Sequence, residues 1–321
     1  MYPLIKKIGI ITSGGDSPGM NSAIKTIVNV ATTYNIPCVG YKYGYDGLIF
    51  NKYIKLLNNN VNNIINIGGT IIGSGRSKLF LTYKGRQQAY SNLRKNKIDG
   101  LIIIGGNGSF KGINLFNKEY NFPIIGIPGT IDNDINGTDI TLGYDTALNA
   151  IIKSIEKISV IAKSNKRIFI IEVMGRNTSH LAFNSGITLN ALYIIYNNKY
   201  SIDHIKDLLK KRSLKSYIII VAENNIIGSA SKLIYNKLKN KIKTFEFRRT
   251  ILGYIQRGGS PSYNDRMLGI KFGLNSFYKL INYKKNLVIG QINNKCVNIP
   301  FNIAILKKKN KYYKYKKYNF Y

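Results

Sequence analysis

The chain has 321 residues, of which 44% are hydrophobic and 12% aromatic, a composition typical of folded rather than disordered protein. This length suffices for two domains, and no apolar run approaches the length of a membrane-spanning helix. The two cysteines, Cys38 and Cys296, provide no disulfide framework, so we expect a reduced, cytoplasmic location and no membrane partner.

The formal net charge of +33 suggests a nucleic-acid-binding protein as one hypothesis. Only 10 of the 48 basic residues are arginine, however, and arginine reads phosphate and base edges better than lysine does. The lysine excess accompanies frequent Asn, Ile and Tyr and no Trp, which indicates a compositional drift of the gene, so we expect no specific nucleic-acid partner. Salt-sensitive retention on DNA would favour the alternative.

Short runs rich in Ile and Val alternate with helical stretches, which predicts an α/β fold with mostly parallel sheets covered on both faces. The predicted strands, in chain order, are residues 7–12, 37–41, 100–104, 123–127, 167–173 and 218–222. The predicted helices are residues 21–33 and 143–162. Ligands of open α/β sheets bind beyond the carboxyl ends of the strands, so we expect the strand exits to line a shared cleft.

Two of these strands end in glycine-rich turns. The first turn covers residues 13–20, and the second contains Gly106, Asn107, Gly108 and Ser109. Glycine lets the backbone approach a polyphosphate, and the amides at a helix N-terminus favour its negative charge. The spacing of the first turn matches neither the usual dinucleotide nor the P-loop pattern, so on that segment alone a tight turn without a ligand stays an alternative. The second turn alone is a weak signal.

A third loop, residues 128–134, carries two carboxylates, Asp132 and Asp134. A kinase that acts on an alcohol needs a base close to the attacking hydroxyl. One carboxylate could be that base, and the other a metal-positioning or electrostatic group. The two neighbouring glycine-rich exits favour this interpretation over an ordinary Asx-rich turn.

Half of the arginines are candidates for phosphate binding: Arg76, Arg167, Arg176, Arg248 and Arg257. A guanidinium group can hold phosphate oxygens through two parallel hydrogen bonds, which suits the spread charge of a phosphoryl-transfer transition state. Each of these arginines alone could equally be a solvated surface residue.

Five segments together resemble the bacterial-type phosphofructokinase family: residues 12–21, 68–76, 128–134, 172–176 and 252–261. They occur in the family's order and at nearly the family's spacing. The resemblance implies two three-layer α/β domains with mostly parallel sheets and an active site in the cleft between them. It implies a nucleotide-binding domain at residues 1–143 plus 256–306, and a sugar-phosphate-binding domain at residues 144–255 plus 307–321.

The activity that this resemblance implies is that of a 6-phosphofructokinase, a glycolytic transferase that moves a phosphoryl group from ATP to the 1-hydroxyl of fructose 6-phosphate. It also implies Mg²⁺ as a cofactor and a cytoplasmic homo-oligomer, usually a homotetramer. Gly108 and Gly129 stand where the pyrophosphate-using branch typically has Asp and Lys, so ATP is the expected donor.

Residue roles follow from the same resemblance. Asp132 matches the catalytic base, with Asp134 beside it, while Thr130 and Arg176 match stabilisers of the transferring phosphoryl group. The residues implied to bind the nucleotide are Gly15, Arg76, Gly106, Asn107, Gly108 and Ser109. Those implied to bind the sugar phosphate are Thr130, Asp132, Met174, Gly175, Arg176, Glu223, Tyr254 and Arg257, with Arg167 and Arg248 from a neighbouring subunit.

Two positions depart from the family pattern. Asn107 replaces the Asp associated with Mg²⁺, and an amide oxygen lacks the negative charge that favours a hard cation. Tyr254 replaces a His that usually contacts the 6-phosphate, and a phenol carries no positive charge. These departures leave one alternative open: a weakened or non-catalytic relative that binds nucleotide or sugar phosphate.

Overall fold

The computed structural model describes residues 5–175, 178–196, 200–211, 217–282 and 286–308. The chain divides into two compact units. Met1–Thr146 and Arg257–Lys308 form the first, and Ala147–Gln256 lies in the second. Residues 309–321, which belong to the segment expected in the sugar-phosphate-binding domain, lie outside the described residues.

The strands are short and mostly built from buried Ile and Val. They are β1 (Ile8–Ser13), β2 (Cys38–Tyr41), β3 (Tyr53–Leu56), β4 (Gly100–Gly105), β5 (Ile124–Pro128), β6 (Arg167–Val173), β7 (Tyr193–Ile195), β8 (Ile218–Ala222), β9 (Glu246–Ile251), β10 (Leu287–Ile292) and β11 (Lys295–Pro300).

Helices connect most of these strands. They are α1 (Met20–Thr33), α2 (Tyr45–Ile49), α3 (Asn58–Val61), α4 (Tyr83–Lys95), α5 (Asn107–Tyr120), α6 (Tyr144–Ser164), α7 (His180–Thr188), α8 (Ile202–Lys211), α9 (Ser229–Lys241), α10 (Tyr263–Ile281) and α11 (Phe301–Ala304). Short 3-10 helices cover Leu79–Leu81 and Gly253–Arg257.

The sheet of the first unit has the strand order β11-β10-β5-β4-β1-β2-β3. Its strands pair in parallel except at the two edges, where β3 and β11 pair antiparallel. Successive residues of a strand point to opposite faces. Ile102 and Ile104 therefore pack in a core with α1 and α10, while Leu101 and Ile103 pack in another with α4 and α5. Helices thus cover both faces of this sheet.

The sheet of the second unit has the order β7-β8-β6-β9, with parallel pairing throughout. Ile170 and Val221 pack in a core with Ile205 of α8 and Leu238 of α9. The edge strand β9 exposes several polar and charged side chains along its length.

The predicted α/β class with mostly parallel sheets is confirmed, and the bounds of the eight predicted elements differ from those of the structure by at most two residues, whereas β3, β7, β9, β10 and β11 were not predicted. Strands β6 and β8 begin and end where we predicted. Strand β4 extends one residue further than predicted because Gly105 still pairs with Ser13 of β1 and with Pro128 of β5. Within the described ranges, every helix is too short or too polar to span a bilayer.

Candidate active site

The carboxyl ends of β1, β4 and β5 lie side by side in the first unit, because the register pairs Ser13 with Gly105 and Gly105 with Pro128. Ser109 connects the first two ends. Its hydroxyl donates to the carbonyl oxygen of Ser13 at 3.0 Å and lies 3.0 Å from the Ser13 hydroxyl. Both serine side chains are buried. The two glycine-rich turns predicted to bind phosphate therefore share one sheet edge.

Helices α1 and α5 begin at these two turns, and neither receives a side-chain N-cap from the described residues. The amides at a helix N-terminus favour an anion. Gly108 of the second turn is exposed, and a Cβ atom built there meets no described atom within 4 Å. A phosphate group can therefore approach this backbone closely.

The glycine-rich segment at residues 67–76 packs beside the first turn. The side-chain amide of Asn21 donates to one backbone group of this segment and accepts from another, at 2.9 Å each. The Gly14 amide donates to the Gly75 carbonyl at 2.9 Å. Arg76 follows Gly75 directly and its side chain is exposed, so its backbone lies next to the first turn.

Arg257 contacts the first turn as well. Its guanidinium group forms an ion pair with the Asp16 carboxylate and donates to the Asp16 carbonyl oxygen at 3.3 Å. A Cβ atom built on Gly15 would lie 2.7 Å from Nη2 of Arg257. Glycine at position 15 thus permits the close approach of Arg257, and the structure brings a predicted sugar-phosphate ligand next to a predicted nucleotide ligand.

The loop after β5 is held by pairing with the returning chain. The Thr130 amide donates to the Leu142 carbonyl at 3.1 Å, and the Thr141 hydroxyl donates to the Thr130 carbonyl at 2.6 Å. The Asp132 amide donates to the Thr130 hydroxyl at 3.2 Å. Thr130 and Asp132 are both half-buried, so the loop orders them while leaving them accessible.

Two buried oxygen atoms lie in these loops. Asp134 is 8% exposed, and burial raises the pKa of its carboxyl group above the ordinary value, while a backbone hydrogen bond, Lys308 and Lys111 lower it. Among the described residues, neither Oδ1 of Asp134 nor Oδ1 of Asn107 has a hydrogen-bond partner. Each of these oxygens can therefore accept a further ligand.

In the second unit, the ends of β6 and β8 carry predicted sugar-phosphate ligands. The Glu223 amide donates to the Val173 carbonyl at 2.9 Å, which fixes Glu223 beside the end of β6. The Met174 amide donates to Oε1 of Gln256 at 3.0 Å, and Nε2 of Gln256 donates to the Gly253 carbonyl at 2.8 Å. Gly175 follows Met174 and is buried, whereas Arg176 lies outside the described residues.

Arg167 and Arg248, on the paired strands β6 and β9, share one partner. Nε of Arg167 lies 2.6 Å from Oε2 of Glu246, and Arg248 forms an ion pair with the other oxygen of the same carboxylate. The two guanidinium groups therefore converge on one oxyanion. Tyr254 is 69% exposed on the 3-10 helix that follows β9.

Two residues that organise these loops were missed from sequence. Glu172 is 1% exposed and accepts hydrogen bonds from the amides of Gly228 and Ser231 at 2.5 and 2.8 Å, so its carboxylate caps α9. Gln256 is fully buried within the last of the five quoted segments. A polar residue inside an apolar strand or a short motif was the available signal at both positions.

The Phosphofructokinase family model matches residues 7–280 of the chain. A curated relative from Bacteroides thetaiotaomicron, named ATP-dependent 6-phosphofructokinase 2, is 42% identical over 94% of this chain and 93% of its own. A relative from Cytophaga hutchinsonii, named ATP-dependent 6-phosphofructokinase, is 43% identical over 95% of this chain and 94% of its own.

Solved structures give the same result. Phosphofructokinase from Saccharomyces cerevisiae superposes with a TM-score of 0.86 at 31% identity, over 94% of this chain, which spans 45% of the yeast chain's length. A pyrophosphate-dependent phosphofructokinase from Marinobacter aquaeolei gives a TM-score of 0.84 at 18% identity, over 96% of this chain and 86% of that chain, which shows the fold alone. From the family match and the relatives' identity and coverage, this chain belongs to the phosphofructokinase family.

Proposed function

We propose that this chain is an ATP-dependent 6-phosphofructokinase, a kinase that transfers a phosphoryl group from ATP to the 1-hydroxyl of fructose 6-phosphate in glycolysis. One observation carries the proposal. Two glycine-rich turns and the loop with Thr130 and Asp132 occupy one edge of a parallel sheet, so backbone suited to a polyphosphate adjoins a carboxylate suited to act as a general base. The relatives' printed names agree with this activity.

The chemistry assigned to Asp132 is proton abstraction. The 1-hydroxyl oxygen of the sugar attacks the γ-phosphorus, its proton passes to the Asp132 carboxylate, and the bond to the bridging oxygen breaks as ADP leaves. Thr130 and Arg176 stabilise the charge on the transferring group, and Asp134 supports the same loop. The hydrogen bond from the Asp132 backbone amide to the Thr130 hydroxyl holds the Thr130 side chain against the backbone of the proposed base.

The nucleotide is assigned to the first unit. Its phosphates would contact glycine-rich backbone at the N-termini of α1 and α5, with the exposed side chain of Arg76 beside them. The residues assigned to ATP are Gly15, Arg76, Gly106, Asn107, Gly108 and Ser109. The open space at Gly108 supports a bulky nucleotide over pyrophosphate.

The sugar phosphate is assigned to the remaining predicted ligands, which are Met174, Gly175, Glu223, Tyr254 and Arg257. Arg167 and Arg248 would bind the 6-phosphate of a neighbouring copy, so we propose a homotetramer. Their convergence on the Glu246 carboxylate supports this assignment, because a phosphate oxyanion can occupy the same geometry.

Magnesium is the proposed metal, and Asn107 fits it, since its buried Oδ1 has no partner among the described residues. Within the described part of the chain, no group of three His, Cys, Asp or Glu side chains could hold a metal, so nucleotide phosphates would supply further ligands. Bound Mg²⁺ would neutralise charge on the β- and γ-phosphates.

The free thiols of Cys38 and Cys296 support a cytoplasmic location.

The test is production of fructose 1,6-bisphosphate from fructose 6-phosphate with ATP or pyrophosphate, across a Mg²⁺ titration. We expect turnover with ATP alone, and its loss in Asp132→Asn, which keeps the shape of the side chain but cannot accept the proton at neutral pH. Turnover with pyrophosphate but not ATP would overturn the donor assignment.

A second candidate function is binding of nucleotide or sugar phosphate with weakened or no catalysis, because Asn107 lacks the charge that favours Mg²⁺. A folded oligomer that binds ATP or fructose 6-phosphate in calorimetry, yet forms no product with either donor at any Mg²⁺ concentration, would establish it.

A further inference from the structure

The loop that follows β5, residues 129–136, is called the catalytic loop because it carries Asp132 and Asp134. Asn133, between these two carboxylates, has an unusual backbone conformation. Asn133 has φ of 50°, in the left-handed region, which asparagine tolerates better than most residues but which still needs support from its surroundings. It is 6% exposed, and its Nδ2 donates to the Asp139 carbonyl at 2.9 Å. Because Asn133 adjoins Asp132, the backbone at Asn133 helps to determine where the Asp132 carboxylate lies.

Lys308 provides a second support for Asn133. Its Nζ atom donates to the Asn133 carbonyl oxygen at 3.0 Å and to Oδ1 of Asn133 at 3.1 Å. An ammonium group gives charge-assisted hydrogen bonds, which are stronger than neutral ones. Both oxygens of Asn133 are therefore bound by one cation that comes from a position 175 residues further along the chain.

The segment that carries Lys308 is itself attached to the same loop. The Asn136 amide donates to the Ala304 carbonyl at 3.3 Å, and Nδ2 of Asn136 donates to the Ile303 carbonyl at 3.2 Å. Ile303 and Ala304 belong to α11, whose Phe301 is buried in the core. Helix α11 is thus fixed to the core and to the catalytic loop, and Lys308 follows it by four residues. The contact of Lys308 with Asn133 is therefore one of several contacts between residues 301–308 and this loop.

Charge favours the same arrangement. Lys308 lies close enough to Asp134 to lower the pKa of that carboxyl group, which burial raises. A cation at this position compensates for the charge of the Asp134 carboxylate in a loop that must also accept a phosphorylated substrate.

We propose that Lys308 is a positioning residue for phosphoryl transfer, which acts by holding Asn133 and thereby aligning the Asp132 carboxylate with the sugar hydroxyl. The inference rests on the proposed function, in which Asp132 is the base. Lys308 itself touches neither substrate in this scheme. Its effect is on the chemical step, because a small misplacement of a catalytic group lowers the rate of the bound complex.

The test compares three variants of the full chain. Lys308→Met removes the charge and both hydrogen bonds at similar length, Lys308→Arg restores a cationic donor, and Lys307→Met is the matched control at an exposed neighbouring lysine. We expect Lys308→Met to lower kcat about 10-fold to 50-fold and to leave both KM values within about twofold of the wild type. Lys308→Arg should recover most of kcat, and Lys307→Met should resemble the wild type.

A second measurement does not depend on turnover. Hydrogen–deuterium exchange of the peptide covering residues 128–136 should be faster in Lys308→Met than in Lys307→Met, because the amides of Thr130, Asp132 and Asn136 are hydrogen-bonded in the docked loop. Equal exchange in the two variants, or equal kcat, would overturn the proposal. If the wild type itself shows no turnover, the proposed function fails, and the exchange comparison alone decides whether Lys308 anchors the loop.

Discussion

The buried carboxylate of Asp265 binds both donors of Thr146, accepting hydrogen bonds from its amide at 2.8 Å and from its hydroxyl at 2.5 Å. Its other oxygen accepts from the Gly143 amide at 2.7 Å. Asp265 is fully buried in the first turn of α10, and its three donors lie just before and within the first turn of α6. One carboxylate therefore joins the start of α10 to the chain that returns from the catalytic loop.

Replacing Asp265 should destabilise the first unit. Asp265→Ala leaves three buried donors without an acceptor, and we expect the free energy of unfolding at pH 7.5 to fall by about 2 to 4 kcal/mol. Urea unfolding monitored by circular dichroism measures this change. Asn264→Ala, at the exposed neighbouring position, is the control and should have little effect. Equal stability of the two variants would contradict the structural role of Asp265.

The loss of unfolding free energy caused by Asp265→Ala should depend on pH. Burial raises the pKa of Asp265 from 3.8 to about 6, so the folded state holds this proton more tightly than the unfolded state does. The proton-linked part of the contribution of Asp265 to stability is then greatest below the unfolded pKa and is lost as pH rises through about 6, while its hydrogen bonds to Gly143 and Thr146 still contribute. The cost of Asp265→Ala should be about 1 kcal/mol larger at pH 5 than at pH 7.5, and the opposite trend would exclude this account.

Restoring a carboxylate at position 107 should strengthen metal binding. In Asn107→Asp the buried Oδ1, which has no partner among the described residues, becomes part of a charged oxygen ligand. We expect the Mg²⁺ midpoint of ATP turnover to fall by about tenfold and kcat to rise. Asn63→Asp, which adds the same charge at an exposed position, should change neither quantity. An unchanged midpoint in Asn107→Asp would remove position 107 from the metal site.

A histidine at position 254 should tighten sugar-phosphate binding. Tyr254 is 69% exposed, so Tyr254→His should fold normally, and the imidazolium adds a positive charge that the phenol lacks. We expect KM for fructose 6-phosphate to fall about threefold to tenfold at pH 6 and less at pH 8. Tyr263→His, at a tyrosine that is 75% exposed, controls for the added charge. If Tyr254→His and the wild type have the same KM for fructose 6-phosphate at both pH 6 and pH 8, Tyr254 lies outside the sugar site.

An acidic side chain at position 108 should impair ATP binding. No described atom lies within 4 Å of a Cβ atom built at Gly108, so the side chain of Gly108→Asp can be accommodated. Its carboxylate would repel the nucleotide phosphates. We expect KM for ATP to rise by at least about tenfold. Gly108→Ala adds volume without charge and should stay close to the wild type. If both variants bind ATP like the wild type, the phosphates do not pass near position 108.

Much of the fold could be predicted because its central strands are continuous runs of Ile and Val. Strands β3, β7, β9, β10 and β11 were missed. For β9 the reason is its place at a sheet edge, where solvent allows Glu246, Arg248 and Arg249 to occupy the strand. The glycine-rich turns and the loop at residues 128–134 were identified because they follow predicted strands directly. The contacts of Lys308 and Gln256 could not be found, because they join positions 175 and 82 residues apart.

The order of segments along the chain has a consequence for synthesis on the ribosome. The first unit is built from two segments that are far apart in sequence: Met1–Thr146 packs with Arg257–Lys308, which supplies α10 against α1 and β10 beside β5. Domains tend to fold as they emerge during translation. The first unit therefore cannot complete its core until Arg257–Lys308 have been synthesised, and the turn at residues 13–20 lacks part of its supporting core until then.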